Sequence, residues 1–379
     1  MKFMDEKKII LIPDSFKGTM SSIEVCEIME KSIKSFLPKC DVVSIPVADG
    51  GEGTVDALVA AVGGEKIYTE VTGPKHKPVK SFFGLLNTGE AVIEMAAAAG
   101  LPMMGDELDV MNSTSFGVGE LIIKALEKGR NKIVLGIGGS ATNDGGAGAA
   151  AALGVRFLDK NGNPFVPVGA TLKDIESIDT NQIHPNLKQT SIKIMSDINN
   201  PLCGENGAAA VFGAQKGATK EMMQELDEGL RHFSEIVKRD IKVDILNLPG
   251  AGAAGGMGGG IHALFDAELE MGIDVVLDVV KFEDLLKDTA LVFSGEGKID
   301  SQSLGGKVVI GIAKRTKKMH VPLIAVVGDI ADDMNEAYEY GVSAIVSINR
   351  VALPYKKVKI RAESDLKLTV DEIMRLLLL

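Results

Sequence analysis

Short apolar runs alternate with amphipathic segments at both ends of the 379-residue chain. Strands are predicted at the apolar runs, at 9–12, 42–47, 290–293, 323–327 and 344–348. Helices are predicted between these strands and after the last one, at 21–36, 54–62, 307–318, 333–340 and 371–378. Strands that are apolar throughout and alternate with helices are typical of a parallel sheet covered on both faces. We therefore expect the two ends of the chain to build one doubly wound sheet.

The middle of the chain has a different pattern. Turn residues separate short strands there, which predicts antiparallel pairing between the segments 66–71, 79–86 and 90–95. We therefore expect an inserted mixed α/β domain at 66–285, which contains a glycine-rich loop. This domain interrupts an α/β domain formed by residues 1–65 and 286–379.

The glycine-rich loop spans residues 136–148, between a predicted strand at 132–135 and an alanine-rich segment that favours a helix. In a strand–turn–helix arrangement, backbone N–H groups and the helix N-terminus can face an anion such as phosphate. Asp144 lies in this turn and would repel phosphate unless a divalent cation lay between them. The motif therefore predicts a loop for phosphate and Mg²⁺. The alternative is that its glycines only make a tight connection.

Polar groups suited to phosphoryl chemistry follow the first two predicted strands. After the first, Asp14 and Ser15 can hold a metal-bound phosphate or a substrate hydroxyl, and Lys17 can neutralise a phosphoryl group. After the second, Asp49 and Glu52 form a glycine-flanked pair of carboxylates that suits a metal or a substrate hydroxyl. In open parallel sheets, ligands bind at these carboxyl ends of strands. Helix capping and a solvated acidic turn are the respective alternatives.

Comparable groups recur further along the chain. Asp197 follows the strand predicted at 192–195 and is a candidate Mg²⁺ ligand. Gln215 and Lys216 lie in a glycine-flanked turn and can bind an anion. A turn after the strand at 290–293 repeats the glycine–carboxylate pattern and carries Glu296, Lys298 and Asp300. The run 250–260 includes Gly255 and Gly256 and can approach a nucleotide or a carboxylate closely, although tight helix packing explains it nearly as well.

Charge and composition exclude several classes of function. The net charge of −11 and an aromatic content of 4% argue against nucleic acid as a partner. The 3 cysteines are scattered, as in a reduced cytoplasmic protein. No apolar run approaches the ~20 residues of a membrane span, and no secretory leader is evident at the N-terminus. We expect a cytoplasmic protein that binds no membrane, and the sequence indicates no oligomeric state.

Known phosphate-binding motifs are missing from the sequence. It contains no P-loop, no protein-kinase motif set and no dinucleotide-binding fingerprint. What it offers instead are carboxylates, lysines and glycine-rich loops placed after strands. Phosphoryl transfer depends on positioning and charge neutralisation, and these groups can supply both.

Six segments together resemble the bacterial glycerate kinase family of glyoxylate and sugar-acid catabolism. They are IPDSFKGTMSS, PVADGGEGT, GIGGSATNDGGAGAAAALG, NNPLCGENGAAAVFGAQKGA, GAGAAGGMGGG and SGEGKIDSQSLGGK. The resemblance implies phosphorylation of D-glycerate by ATP with Mg²⁺, 2-phosphoglycerate being favoured over 3-phosphoglycerate. It also implies a flavodoxin-like (Rossmann-like) doubly wound parallel-sheet domain interrupted by the inserted mixed α/β domain.

Roles for individual residues follow as hypotheses. Asp49 or Asp197 is expected to accept the hydroxyl proton, and Lys17 and Lys216 to neutralise phosphoryl or glycerate charge. The expected metal ligands are Asp144 and Asp197. The expected cofactor-binding residues are Gly138, Gly139, Ser140, Gly255, Gly256, Glu296 and Lys298. The expected substrate-binding residues are Asp14, Ser15, Glu52, Gln215 and Asp300.

Two alternatives to a glycerate kinase remain at this point. A non-catalytic sugar-acid binding protein could use the same groups, but so many carboxylate-bearing loops exceed what binding one small acid requires. A kinase for a related hydroxy acid, such as tartronate, would differ at only one or two positions.

Overall fold

The computed structural model describes residues 7–379, with the backbone alone described at Tyr355. These residues form two compact units. The first unit comprises the described residues up to Ala48, together with Ala60–Gly63 and Met271–Leu379. The second unit comprises Asp49–Val59 and Gly64–Glu270.

The secondary structure alternates strands and helices along most of the chain. The strands are β1 (Lys8–Pro13), β2 (Asp41–Ser44), β3 (Gly64–Thr72), β4 (Pro78–Leu86), β5 (Ala91–Glu94), β6 (Lys132–Gly136), β7 (Arg156–Leu158), β8 (Pro164–Phe165), β9 (Ser177–Asp179), β10 (Ser191–Met195), β11 (Glu268–Glu270), β12 (Thr289–Gly295), β13 (Lys298–Ile299), β14 (Leu323–Val327), β15 (Asp329–Ile330) and β16 (Ala344–Ser347). The α-helices are α1 (Ser22–Phe36), α2 (Thr54–Val62), α3 (Ala96–Ala99), α4 (Phe116–Glu127), α5 (Ala147–Ala152), α6 (Ala208–Phe212), α7 (Lys220–Asp240), α8 (Met257–Phe265), α9 (Gly272–Val279), α10 (Phe282–Leu286), α11 (Val308–Lys318), α12 (Asn335–Tyr340), α13 (Tyr355–Val358) and α14 (Ala362–Leu377).

The first unit is built on a five-stranded sheet with the order β2-β1-β12-β14-β16, in which every pairing is parallel. Its interior strand β1 is apolar and fully buried from Ile9 to Ile12, as a strand covered on both faces requires. Helices α1 and α14 share one buried apolar cluster with alternate residues of the sheet, and α11 contacts β12 and β14. This arrangement confirms the predicted parallel sheet.

The second unit is built on a six-stranded mixed sheet with the order β11-β10-β6-β5-β4-β3. β11, β10, β6 and β5 pair in parallel, whereas β4 is antiparallel to both β5 and β3. The predicted antiparallel pairing of 66–95 is therefore correct, and β5 connects that part to the parallel part. Helices α4 and α5 pack closely because Gly119 has no side chain: a Cβ there would collide with the carbonyl oxygen of Ala149.

A smaller layer in the second unit was not predicted from the sequence. Strands β8, β7 and β9 form a three-stranded antiparallel sheet, and α7 packs beside it. Phe157 of β7 and Phe233 of α7 are both fully buried, with ring centroids 6.4 Å apart.

Within residues 7–379, no helix combines the length and apolar character that crossing a membrane requires.

The two units divide the chain at places other than the predicted boundaries of 65 and 285. Residues 49–59 belong to the second unit, where Val55 donates its backbone N–H to the Glu94 carboxylate at 2.6 Å. Residues 271–285 belong to the first unit, where Ile273 packs against Gly311 of α11.

Candidate active site

A cavity of about 230 Å³ in the second unit lies beside the glycine-rich loop. It brings together predicted site residues from separate segments of the chain. These residues are Asp49, Gly138, Gly139, Ser140, Asp197, Gln215 and Lys216. A positively charged side chain and two carboxylates thus line one small space.

Parallel pairing of β6 and β10 explains how two of these segments meet. The strands run in register, with Met195 opposite Gly136 at their carboxyl ends. The glycine-rich loop therefore leaves the sheet beside the loop that carries Asp197. This is the edge at which ligands bind in parallel sheets.

Glycines bring Asp49 to the same edge. The N–H of Gly138 donates to the carbonyl oxygen of Gly50 at 3.0 Å. A Cβ on Gly138 would lie 2.8 Å from the Cα of Gly51, so a larger residue would push the Asp49 turn away. The N–H of Gly138 therefore holds this turn and is not directed at a phosphate.

Lys216 is the buried cation of the cavity. Its side chain lies at the end of a 3₁₀ turn, Ala214–Lys216, and the residue is only 3% exposed. The ammonium group donates to the Ser140 hydroxyl and to the carbonyl oxygen of Thr142, both at 2.7 Å. Burial lowers the pKa of Lys216 to about 7, although nearby Asp144 acts in the opposite direction. A bound carboxylate or phosphate would favour the charged form.

The structure does not bring Asp144 to the cavity. Its side chain is fully buried and accepts hydrogen bonds from the Ser115 N–H at 2.8 Å, the Ser115 hydroxyl at 2.7 Å and the Gly146 N–H at 3.1 Å. Burial raises the pKa of Asp144, while these hydrogen bonds act against that rise. Because these hydrogen bonds hold the Asp144 carboxylate inside the protein just before α5, its geometry supports a structural role, and we do not propose it as a metal ligand.

The second glycine run packs against the first. Gly255 and Gly256 are buried, both with positive φ, and a Cβ on Gly255 would collide with the carbonyl oxygen of Thr142. These two glycines therefore support the loop from behind, as the packing alternative predicts. Ala254, which the sequence did not single out, lines the cavity with a φ of 53°. Ser196 and Phe212 also line it and were missed.

The remaining predicted residues fall outside this cavity. Glu52 is an exposed residue of the second unit. The others belong to the first unit: Asp14, Ser15, Lys17, Glu296, Lys298 and Asp300. Asp14 and Glu296 follow the paired strands β1 and β12, and the N–H of Asp14 donates to the carbonyl oxygen of Gly295 at 2.8 Å.

Glu296 is a buried carboxyl group of the first unit. Burial raises the pKa of Glu296 to about 7, a Ser303 hydrogen bond acts against this, and the charges of Asp14 and Asp300 add to the rise. Its Oε1 atom is buried and finds no hydrogen-bond partner among the described residues. Across residues 7–379, no three or more His, Cys, Asp or Glu side chains are grouped to hold a metal by themselves.

Comparisons with known proteins all point to one family, and each match covers 90% or more of the chain. The model of the glycerate kinase family matches residues 9–378. The chain is 45% identical over 343 residues to a glycerate 2-kinase of Escherichia coli K12, covering 90% of each protein. It is also 45% identical over 372 residues to a glycerate kinase of Haemophilus influenzae, covering 98% of each. A crystal structure from Salmonella typhimurium LT2, described as a candidate glycerate kinase 2, superposes with a TM-score of 0.87 at 41% identity over 98% of both chains.

Proposed function

The chain belongs to the glycerate kinase family, and from this premise we propose that it phosphorylates D-glycerate with ATP and Mg²⁺. As a member of this family it is a phosphotransferase with an alcohol group as acceptor. The observation that supports the proposal most is that one buried lysine and two carboxylates line the same cavity of the second unit. D-glycerate presents the complementary groups, a carboxylate and two hydroxyls.

We propose that Lys216 binds the carboxylate of glycerate. A buried ammonium group is a strong partner for an anion because water screens it little. The Ser140 hydroxyl accepts a hydrogen bond from Lys216 and can itself donate to the bound anion. Gln215, exposed at the same cavity, offers an amide to the substrate.

We assign the role of general base to Asp197. Asp197 is half-buried, whereas Asp49 is exposed, so Asp197 is better shielded from water when substrate fills the cavity. Asp197 would accept the proton of the attacking hydroxyl, and Asp49 would accept a hydrogen bond from the other hydroxyl.

The carboxylates of the first unit fit a magnesium ion. The oxygen of Glu296 without a partner is a hard, buried ligand, and Asp14 lies close enough to influence its charge. Mg²⁺ in phosphoryl-transfer enzymes usually takes one or two carboxylates together with phosphate oxygens and water. When bound, it neutralises the negative charge of the phosphates. We propose Glu296 and Asp14 as its protein ligands.

Transfer to the 2-hydroxyl is the finer part of the proposal. It is supported by the 45% identity to the E. coli protein named glycerate 2-kinase. A kinase for a related hydroxy acid is distinguished by measuring ADP release with D-glycerate and with tartronate. D-glycerate is expected to be the better substrate.

Replacing the proposed base tests the chemistry. Asp197→Asn is expected to lower kcat about 10²–10⁴-fold, because a neutral amide cannot take the hydroxyl proton. The control is Asp106→Asn, which changes an exposed aspartate of the same unit and should leave kcat within about twofold. Near-normal kcat in Asp197→Asn, with both variants folded by circular dichroism, would remove Asp197 from the reaction.

A further inference from the structure

We infer that a second cavity, of about 230 Å³ within the first unit, binds the adenosine part of the nucleotide. This inference rests on the proposed function, because it concerns the nucleotide of the kinase reaction. It shares no lining residue with the lysine-lined cavity of the second unit.

Topology places this cavity where a parallel sheet binds ligands. Phe16 follows β1, Gly297 follows β12, Gly328 follows β14 and Ile348 follows β16, so the carboxyl ends of four strands contribute to it. Counted along this unit, the strand order is 2-1-3-4-5, the order of flavodoxin-like sheets. The direction of the strand order reverses between β1 and β12. Ligands of doubly wound sheets bind at this switch point.

The walls of the cavity suit a flat apolar ring. Phe16, Ile348 and Ala362 are buried at 3%, 5% and 7% exposure and line it, and the exposed Leu353 adds a further apolar surface. A Cβ on Gly328 would collide with the carbonyl oxygen of Gly297, so the loops after β12 and β14 touch directly. Binding pockets for small molecules are typically apolar with a few polar groups that fix orientation.

The polar groups of the cavity match adenosine. Asn349 carries an amide, which can pair with the N6 and N7 positions of adenine. Asp329 carries a carboxylate, the group that binds ribose hydroxyls in other parallel-sheet nucleotide sites. Asp365 is neutralised by Arg361, whose guanidinium donates to both of its oxygens at 2.9 and 3.1 Å.

The cavity also contains cations, one of which is close in the sequence to a proposed magnesium ligand. Lys17 and Lys359 line the cavity and are exposed, as expected of side chains that bind phosphates. Lys17 belongs to the same loop as Asp14, and Gly297 follows Glu296 directly. A nucleotide whose base lies beside Asn349 therefore has cations and carboxylates available for its phosphates and their Mg²⁺.

Calorimetric titration of Mg·ADP into the full-length protein tests the inference. Leu353→Glu and Lys359→Glu are expected to weaken ADP binding at least tenfold, while the KM for D-glycerate changes less than twofold. Each has a matched control in the same unit: Leu368→Glu replaces a leucine of similar exposure, 41% against 45%, and Lys357→Glu reverses a neighbouring charge. Neither control residue lines the cavity. The control variants should bind ADP as the unmodified protein does.

Failure of the inference is distinguishable from failure of the proposed function. If the unmodified protein phosphorylates D-glycerate but both cavity variants keep their ADP affinity, the nucleotide lies elsewhere and the inference is overturned. If ADP binding follows the expected pattern but D-glycerate is not phosphorylated, the nucleotide site stands and the proposed substrate is wrong. Asn349→Leu adds a direct test of base recognition, since it should reduce the preference for ADP over GDP; an unchanged preference would contradict the assigned orientation.

Discussion

At the scale of single residues, a buried charge can act on a ligand only where its side chain lines a cavity. Lys216 and Asp144 are both buried in the second unit, but only Lys216 lines the cavity. The Asp144 oxygens accept hydrogen bonds from the protein's own N–H and hydroxyl groups. We therefore propose a ligand-binding role for Lys216 and a structural role for Asp144.

Lys216→Met tests the role of the buried cation. We expect kcat/KM for D-glycerate to fall about 10²–10³-fold, because a pre-positioned charge is lost. In the unmodified protein kcat/KM should also decline above about pH 7, where free Lys216 loses its proton. A pH–rate profile of both proteins checks this. A profile that is equally flat in both would contradict the assignment.

The same lysine makes stability depend on pH. Its pKa is lowered from 10.5 to about 7 on folding, so between these values the unfolded state holds more protons than the folded state. The free energy of unfolding of the unmodified protein should therefore rise relative to that of Lys216→Met as pH increases from about 7 toward 10. Urea denaturation at several pH values measures the difference. A constant difference would mean that Lys216 titrates normally.

Asp144→Asn separates a structural role from metal binding. The asparagine amide would face N–H groups that now donate to a carboxylate, so we expect the free energy of unfolding to fall by about 2–3 kcal/mol. A metal ligand would behave differently: stability would be nearly unchanged and the Mg²⁺ concentration for half-maximal activity would rise. Denaturation and a Mg²⁺ titration of the same variant distinguish the two.

Sequence position alone predicted which residues follow strands, but not which of them are buried. Asp197 and Lys216 were predicted as site residues because they lie in polar turns next to apolar runs. Asp144 accepts a hydrogen bond from Ser115, which lies 29 positions earlier in the chain and is brought to it by packing of α4 on α5. Contacts of this kind leave no local signal in a sequence.

At the scale of elements, the two glycine runs form one packed unit behind the cavity. The N–H of Gly145 donates to the carbonyl oxygen of Gly255 at 3.0 Å, and Gly255 lies against Thr142 and Asn143. Thr142 in turn accepts a hydrogen bond from Lys216. The second run therefore acts on the site through the backbone of the first.

Gly255→Ala should reveal this packing. The residue has a φ of 67°, which costs an alanine roughly 1 kcal/mol, and the added methyl group also overpacks the loop at a cost of about 1–3 kcal/mol. Gly162→Ala is the control, because Gly162 has a φ of 78° but nothing within 4 Å of an added Cβ. Denaturation should show a clearly larger loss for Gly255→Ala; equal losses would mean that the collision is relieved at no cost.

Periodicity predicted the elements of the parallel sheet well and other elements poorly. Helix α14 begins at Ala362, well before the predicted start at 371. Its early part was missed because its first turn is polar, and Asp365 there is buried and paired with Arg361. The short strands β7, β8 and β9 were missed because strands of two or three residues carry no measurable alternation.

At the scale of the whole molecule, the division of the chain into two units follows tertiary packing more than the alternation of strands and helices along the sequence. Residues 49–59 continue the strand–helix rhythm of the N-terminus, which is why they were expected in the first unit. They lie in the second because the glycines of β6 and its loop admit the Asp49 turn. The same contact completes the candidate site, so the unit boundary and the site have one physical cause.

The most direct test of the account is a coupled assay of the purified protein with Mg·ATP and D-glycerate, in which enolase converts 2-phosphoglycerate to phosphoenolpyruvate. We expect D-glycerate-dependent ADP release, with phosphoenolpyruvate formed in proportion to the ADP. ADP release without phosphoenolpyruvate would contradict transfer to the 2-hydroxyl. Absence of any D-glycerate-dependent ADP release would contradict the proposed function itself.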